Sequence, residues 1–168
     1  KIQTISFPCH LKKIEKYAFY NCTNLQIVKF LKNCELEKIG KYSFFDSFIQ
    51  TITIPPSLKK IGSGAFSSCI YLQKIRVPIN SKLQIISSNA FENSTLKSIS
   101  IPSNIIKLKE NWCISTKNLN CLNIIQNEIQ NITCYENNLI IGKSDFKSDN
   151  FDILYFAKRD IKIASIPS

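Results

Sequence analysis

Few residues in this chain of 168 amino acids could carry out catalysis. His10 is the single histidine, so any scheme that pairs a serine or cysteine nucleophile with an imidazole base must use it, and Cys9 is its neighbour. The 12 acidic residues are scattered along the chain, and the four glycines form no phosphate-binding loop. The seven cysteines lack the Cys-x-x-Cys spacing of structural zinc sites. The sequence therefore predicts a protein that is not an enzyme and holds no metal or cofactor.

The chain is strongly basic, with 22 Lys and Arg residues against 12 Asp and Glu residues and a net charge of +10. Such an excess favours an acidic partner, which could be a nucleic acid, an anionic lipid surface or a sulfated glycan. Only Arg76 and Arg159 are arginines, and arginine is the residue best suited to phosphate and base recognition, so a nucleic acid is disfavoured. No apolar run approaches the roughly 20 residues of a membrane span, and no signal-like leader opens the chain.

An internal repeat must position these residues. A central apolar residue recurs every 23 or 24 positions, at Ile5, Val28, Ile52, Ile75, Ile99 and Leu122. A second apolar residue follows two positions later, and a proline ends the segment at Pro8, Pro55, Pro78 and Pro102. This alternation predicts short strands, which stop at the proline because proline has no N–H to donate. Because one repeat cannot bury its apolar face alone, the repeats must stack and form a parallel sheet.

Each repeat also carries a second apolar pair and then a small-aromatic pair. The small-aromatic pairs are Ala18-Phe19, Ser43-Phe44, Ala65-Phe66 and Ala90-Phe91, and Trp112-Cys113 replaces them in the fifth repeat. We expect the large ring to fill the wall opposite the strands, in a short helical turn. The step between the two apolar centres runs 9, 11, 9, 11 and 9 residues, which predicts a repeating doublet of 47 residues.

This pattern resembles the BspA-type leucine-rich repeat family, whose repeat reads Leu-x-x-Ile-x-Ile-Pro and then Ile-Gly-x-x-Ala-Phe-x-x-Cys-x-x-Leu. The segment from Ile49 to Leu72, IQTITIPPSLKKIGSGAFSSCIYL, shows the closest match. Glu15, Ser87 and Lys109 depart from it at a position where the family prefers glycine. The resemblance implies an α/β leucine-rich-repeat solenoid with short parallel strands, in a surface protein of a bacterium or a parasitic protist. The Lys, Ile and Asn content is closer to a protist member, such as a trichomonad protein.

The domain boundaries follow from where the period fails. Residues 1–124 are predicted to hold leucine-rich repeats of 23–24 residues, and residues 125–160 a degenerate repeat with an inserted β-hairpin. The hairpin strands are the apolar runs Leu139–Ile141 and Ile153–Phe156. Residues 161–168 restart the pattern and are predicted to begin a further repeat of a truncated array.

Two pairs of cysteines occupy equivalent positions in the repeats. Cys22 and Cys69 lie in a slot that other repeats fill with serine or threonine, so packed thiols are expected there. Cys9 and Cys34 should lie on adjacent repeats within disulfide range. Free thiols are favoured over a bridge, because parallel in-register geometry suits the required dihedral angle poorly.

The outward residues of the strands form the candidate binding surface. The predicted partner-binding residues flank the central apolar positions and are Lys29, Thr51, Thr53, Lys74, Arg76, Ser98 and Ser100. A polar column precedes them at Gln3, Gln26, Gln50, Gln73, Lys97 and Asn120. A second, basic column follows the loop edge and is assigned to solubility: Lys13, Lys38, Lys60 and Lys107. The strand face is either a platform for protein or glycan contact or a solvated polar sheet.

These features predict a non-enzymatic protein–protein interaction module of a cell-surface adhesin or receptor, which presents its solenoid face to a host or cell-surface protein. The surface location rests on the family resemblance. One alternative is a module that binds a glycosaminoglycan or another polyanion through Lys29, Lys74 and Arg76, and another is a purely structural spacer. A steep loss of binding with salt would favour the polyanion over a protein partner.

Overall fold

The structure, a computed structural model, describes residues 2–126, 128–135, 139–143, 145, 147 and 153–157, with the backbone alone for residues 134, 135, 139 and 153–157. A long sheet contains six parallel strands: β1 (Thr4–Phe7), β3 (Ile27–Phe30), β5 (Thr51–Thr53), β7 (Lys74–Arg76), β9 (Ser98–Pro102) and β11 (Cys121–Ile125). A short sheet contains five: β2 (Lys13–Ile14), β4 (Lys38–Ile39), β6 (Lys60–Ile61), β8 (Ile85–Ile86) and β10 (Lys107–Leu108). Repeats 1 to 5 begin at β1, β3, β5, β7 and β9. Each of them contributes one strand to the long sheet and one strand to the short sheet. This arrangement confirms the predicted solenoid, with about five turns.

The register of the long sheet aligns the central apolar residues of successive repeats. Ile5 pairs with Val28, Ile52 with Ile75, and Ile75 with Ile99. Val28, Ile52, Ile75 and Ile99 are buried, whereas the residues next to them along each strand are exposed or half-buried. Because side chains alternate between the two faces of a strand, one face of the sheet closes the core and the other meets solvent.

The wall opposite the long sheet consists of turns, and no segment of the described residues is a helix. Each of the five repeats has two residues with left-handed backbone four positions apart, such as Gly64 and Ser68 with φ of 60° and 58°. Such residues interrupt a right-handed helix. Alternate N–H groups donate to the next repeat, in bonds from Tyr17 to Lys41, Phe19 to Ser43 and Asn21 to Phe45. This ladder replaces the expected helical turn, so the α component that the resemblance implied is not seen in the described part of the chain.

A column of aromatic rings packs behind this wall. Phe19, Phe44, Phe66 and Phe91 stack in order, with ring centroids 5.2, 5.3 and 5.7 Å apart and planes within 15° of parallel. Trp112 continues the column edge-on against Phe91, at 6.2 Å. The fifth repeat therefore keeps a large buried ring even though the order of its small-aromatic pair is reversed.

In the long sheet, the number of residues that pair between neighbouring strands is alternately larger and smaller. This alternation follows the 47-residue doublet. β1 and β3 pair over four residues, β5 and β7 over three, and β9 and β11 over five. Between these doublets the ladder is shorter, because β3 and β5 pair only at Ile27 and Thr51, and β7 and β9 at two positions. The longer step of 11 residues follows β3 and β7, so the extra residues of each long repeat lie at the junctions where the ladder is short.

An antiparallel sheet of three strands follows the long sheet: β12 (Ile132–Tyr135), β13 (Leu139–Gly142) and β14 (Ile153–Ala157). β13 and β14 coincide with the apolar runs that indicated the hairpin, and they pair with each other. β12 pairs with the other edge of β13 and was not predicted: Ile, Thr and Tyr favour strands, but the run is only four residues long and lies outside the repeat period. The further repeat predicted at residues 161–168 lies outside the described residues.

Cys9 and Cys34 are free thiols rather than a disulfide. Cys69 fills the packed slot as expected: it is fully buried, and its Sγ donates to the Phe44 carbonyl at 3.0 Å. Cys22 is only half-buried, which corrects the expectation of a fully packed thiol there. The reason is its place in repeat 1, which has a neighbouring repeat on one side only in the described chain.

Candidate binding surface

Four strands of the long sheet carry the predicted partner-binding residues on the outer face. Lys29 lies on β3, and the other six lie in pairs on β5, β7 and β9: Thr51 and Thr53, Lys74 and Arg76, and Ser98 and Ser100. The register places Thr51 beside Lys74, Thr53 beside Arg76 and Lys74 beside Ser98. The two serines are half-buried and the other five side chains are exposed. The seven residues therefore share one face, with Lys29 across the short β3–β5 junction from the rest.

The cations of this face have no counter-ion in the described chain. No described carboxylate lies within ion-pair distance of Lys29, Lys74 or Arg76. Their charges are not neutralised locally, so they dominate the electrostatic potential over the strands and can attract an acidic molecule.

A groove of about 940 Å³ opens in this face at the junction of β3 and β5. Lys29, Thr51 and Thr53 line it. The two strands pair at Ile27 and Thr51 and at no later position of β3, so they separate towards their carboxyl ends. The hydrogen bond from the Gln50 N–H to the carbonyl of the preceding repeat is also long, at 3.5 Å. The break in the ladder thus turns a flat sheet face into a cleft.

Part of the groove lining is apolar, and the sequence analysis did not assign these residues to the site. Ile27 and Leu31 are 45% and 54% exposed, and the rest of this lining includes Pro55, Pro56 and Pro78. Two signals could have revealed it: an isoleucine at an outward strand position, and the 11-residue step that places Leu31 in an extended loop. An apolar wall beside lysines and hydroxyl groups suits a ligand with both acidic and apolar groups.

The basic edge column lies on the short sheet. Three of its members are in register on neighbouring strands: Lys13, Lys38 and Lys60. Part of its charge is neutralised, because Lys13 Nζ lies 2.7 Å from a Glu15 carboxylate oxygen. The hydrogen bond from Lys13 holds the pKa of Glu15 below its usual value. This column therefore differs from the strand-face cations, which lack such partners.

The candidate nucleophile–base pair is not assembled. His10 is exposed, and its Nδ1 lies 3.5 Å from Oε1 of Glu35. No hydrogen bond joins Cys9 to this imidazole among the residues that the structure describes, and these residues contain no cluster of three or more potential metal ligands. Within the same residues, none of the segments is a helix long and apolar enough to cross a bilayer.

Comparisons with known proteins agree with this architecture. The sequence profile of the BspA-type leucine-rich repeat region matches residues 1–120 in six copies. The pneumococcal vaccine antigen PcpA is 28% identical, with a TM-score of 0.73 over 84% of this chain and 34% of its own. A leucine-rich cell surface protein from Faecalibacterium prausnitzii is 22% identical, with a TM-score of 0.60 over 85% of this chain and 43% of its own. A leucine-rich repeat protein from Bacteroides ovatus is 24% identical, with a TM-score of 0.62 over 73% and 33%.

These matches differ in what they establish. The two structures below 25% identity support the fold alone. The chain spans about a third of the length of PcpA. A comparison with curated proteins finds no match. The repeat profile, however, covers most of the sequence, and the stacked strands follow its period. The chain therefore belongs to the BspA-type leucine-rich repeat family.

Proposed function

We propose that this chain is a non-enzymatic interaction module that binds an acidic, extended segment of a protein partner. The observation that carries the proposal is the groove between β3 and β5, where Lys29, Lys32 and two threonines lie beside an apolar wall. Lys74 and Arg76 extend the cationic surface onto the next strand. Leucine-rich repeat domains generally mediate protein interactions and are typically not enzymes, which supports the same function.

The cationic and the apolar residues of the groove have different roles in this proposal. The unpaired cations attract an acidic segment over long range and raise the association rate. Ile27 and Leu31 then bury apolar side chains of the segment, which slows dissociation. A segment in which acidic and apolar residues alternate can contact both the cationic and the apolar residues of the groove. Extended chains direct alternate side chains to opposite faces, so the two kinds of side chain are separated.

We place this module in a cell-surface adhesin or receptor whose partner is a host or cell-surface protein. The family resemblance implies this setting, and PcpA, which shares the fold, is a vaccine antigen of pneumococcus. Labelling of intact cells with an antibody against the module tests the location. Labelling that requires permeabilised cells would contradict it, without affecting the proposed binding mode.

A polyanionic glycan is the second candidate partner, because Lys29, Lys74 and Arg76 have no counter-ions in the described chain. A sulfated chain makes mainly charge contacts, so its affinity should fall steeply with salt, whereas the apolar wall should retain a peptide. A purely structural spacer is the third candidate. It would associate through its ends and leave the strand face without a partner.

Selection from a random peptide library displayed on phage tests the proposal, with a heparin decasaccharide as the second probe. We expect the enriched peptides to combine acidic and apolar residues. Their affinity should fall about tenfold or more for Lys74→Glu with Arg76→Glu, because two attractive charges become repulsive. The matched control is Lys38→Glu with Lys60→Glu, which makes the same charge change on the edge column. The strand-face variant should not move the thermal midpoint appreciably, because Lys74 and Arg76 are exposed and exposed substitutions change stability by only about 0.5 kcal/mol.

The opposite pattern would contradict the assigned surface. If the edge variant abolished binding and the strand-face variant did not, the binding surface would be the loop edge. Enriched peptides without acidic residues would contradict the role of the cations. Binding of heparin without enrichment of any peptide would favour the glycan, and self-association with neither ligand bound would favour the spacer.

A further inference from the structure

A cluster of exposed and half-buried rings lies on the wall of turns. This aromatic cluster consists of Tyr17 and Tyr20 in repeat 1 and Tyr42 and Phe45 in repeat 2. Tyr17 stacks on Tyr42 with centroids 5.8 Å apart, and Tyr20 stacks on Phe45 at 4.9 Å. Within each repeat the two rings meet edge to face at 5.7 Å. A concavity of about 430 Å³ is lined by these four residues.

The solenoid does not require aromatic residues at these positions. Tyr17 and Tyr20 are 47% and 45% exposed, in contrast to the fully buried ring of Phe44 in the core column. Repeat 3 has Gly64 and Ser67 at the equivalent positions and still forms the same turns. The rings of repeat 1 are therefore an addition to the repeat rather than part of its core, whereas the Tyr42 ring of repeat 2 also packs over Gly64 of repeat 3.

Two of the tyrosines also occupy a backbone conformation that disfavours them. The φ angles of Tyr17 and Tyr42 are 61° and 51°, in the left-handed region that bulky residues rarely adopt. The counterparts in the next three repeats are of types that tolerate this region: Gly64, Asn89 and Asn111. A half-exposed ring recovers little of the unfavourable energy by burial. The placement of the exposed Tyr17 therefore indicates a role other than folding.

Two lysines are sequence neighbours of the tyrosines in this cluster. Lys16 and Lys41 precede the two strained tyrosines, and the Tyr17 N–H donates to the Lys41 carbonyl at 3.0 Å, which places the two positions side by side. Nζ of Lys41 lies 5.1 Å from the centre of the Tyr42 ring. Of the acidic residues near these positions in the chain, Glu15 is paired with Lys13, which leaves the single carboxylate of Asp46 against Lys16 and Lys41. The charge around the rings is therefore positive.

We propose that the aromatic cluster binds an acidic saccharide, that is, a sugar that carries a carboxylate. Flat rings stack against the C–H groups of a pyranose face, and the phenol hydroxyls can exchange hydrogen bonds with sugar hydroxyls. Lys16 and Lys41 then pair with the carboxylate. The volume lies at the lower end of the range of small-molecule sites, roughly 300–1,000 Å³, which suits a short saccharide better than a folded partner. This site is independent of the strand face and of the function proposed for it.

Repeat 3 supplies the substitutions for a test that preserves the fold. Tyr17→Gly with Tyr20→Ser introduces the residues of that repeat, and glycine relieves the backbone strain. The probes are a hyaluronan hexasaccharide and sialyllactose, with a neutral chitin oligosaccharide as the reference, each titrated calorimetrically. We expect the wild-type chain to prefer an acidic probe and the double variant to lose about tenfold or more in affinity, without a drop in thermal midpoint.

A second pair of variants separates charge from stacking. Lys16→Ser with Lys41→Ser, which copies Ser63 of repeat 3, should remove the preference for the acidic over the neutral saccharide. Lys74→Glu with Arg76→Glu should leave saccharide binding unchanged, because these residues lie on the strand face. Four results would overturn the proposal: no binding of either acidic probe, equal binding of the neutral one, unchanged affinity of the tyrosine variant, or loss of binding in the strand-face variant.

Discussion

Phe66 is completely buried between the rings of Phe44 and Phe91, at centroid distances of 5.3 and 5.7 Å. Phe66→Ala would leave a cavity in the middle of this column, because the rigid neighbouring repeats cannot collapse into it. We expect the free energy of unfolding to fall by about 3–5 kcal/mol, measured by chemical denaturation. Ile70→Ala is the control at a residue that is 46% exposed, and it should have a much smaller effect. A loss below about 1 kcal/mol for Phe66→Ala would contradict the packing described here.

Burial raises the pKa of the Cys69 thiol from its ordinary value of 9.0 to about 11. The unfolded chain therefore loses this proton at lower pH than the folded chain does. Stability is fully present below about pH 9 and should decrease as the pH rises towards 11, by about 3 kcal/mol in total. Denaturation of the wild type and of Cys69→Ser on both sides of this window measures the effect.

Serine is a suitable replacement because repeats 2 and 4 carry Ser47 and Ser94 in the same slot. The variant has no group that titrates there, so it should lose less stability than the wild type at high pH. Tyrosines and lysines titrate in both proteins and cancel in the comparison. An identical alkaline loss in the two proteins would show that the thiol is not held protonated by the fold.

The glycine after the short-sheet strand lets the backbones of neighbouring repeats approach closely in repeats 2 and 3. A Cβ added to Gly62 would lie 2.7 Å from the carbonyl carbon of Gly40 and 2.8 Å from the oxygen of Ile39. Both contacts are with backbone, so a side chain cannot simply rotate away. Gly62→Ala should therefore push repeats 2 and 3 apart and lower the free energy of unfolding by about 1–3 kcal/mol.

The thermal midpoint, followed by circular dichroism, measures this effect. Ser87→Ala is the control, because repeat 4 already has a Cβ at the equivalent position, and its midpoint should change less than that of Gly62→Ala. Equal midpoints for the two variants would show that the distance between repeats is not set by this glycine. The family preference for glycine here thus has a steric reason in repeats 2 and 3.

The whole molecule is built from doublets of repeats rather than from equal units. β9 and β11 pair over five residues, whereas β3 and β5 pair at one position. In a solenoid each repeat contacts only its neighbours, so a weak junction opens more readily than a strong one. Hydrogen exchange followed by mass spectrometry should show faster exchange in peptides from β3 and β5 than in peptides from β9 and β11.

Lys74→Glu with Arg76→Glu serves as a control for this measurement, because it alters exposed side chains and not the ladder. The exchange pattern of that variant should match the wild type. Equal protection of the two junctions would contradict the doublet, and it would also weaken the explanation of the groove, which depends on the separation of β3 from β5.

The solenoid and the register of its long sheet could be predicted from the amino-acid sequence alone. Apolar residues spaced by 23 or 24 positions can be buried together only if the repeats stack, and this places Ile52 beside Ile75 without further information. The period of two within each strand also determined that Lys74 and Arg76 face outward. These features depend on spacing along the chain, which is why one sequence was enough to predict them.

Features that depend on contacts between repeats could not be predicted from the sequence and are seen only in the folded molecule. The Ala-Phe segment has a composition that fits a helix, but its N–H groups donate to the next repeat and so form turns. The groove arises because β3 and β5 diverge after a single residue pair, and pairing between strands is not encoded in either strand alone. Tyr17 and Tyr42 lie 25 residues apart in the chain and share one concavity only because stacking brings their rings within 5.8 Å of each other.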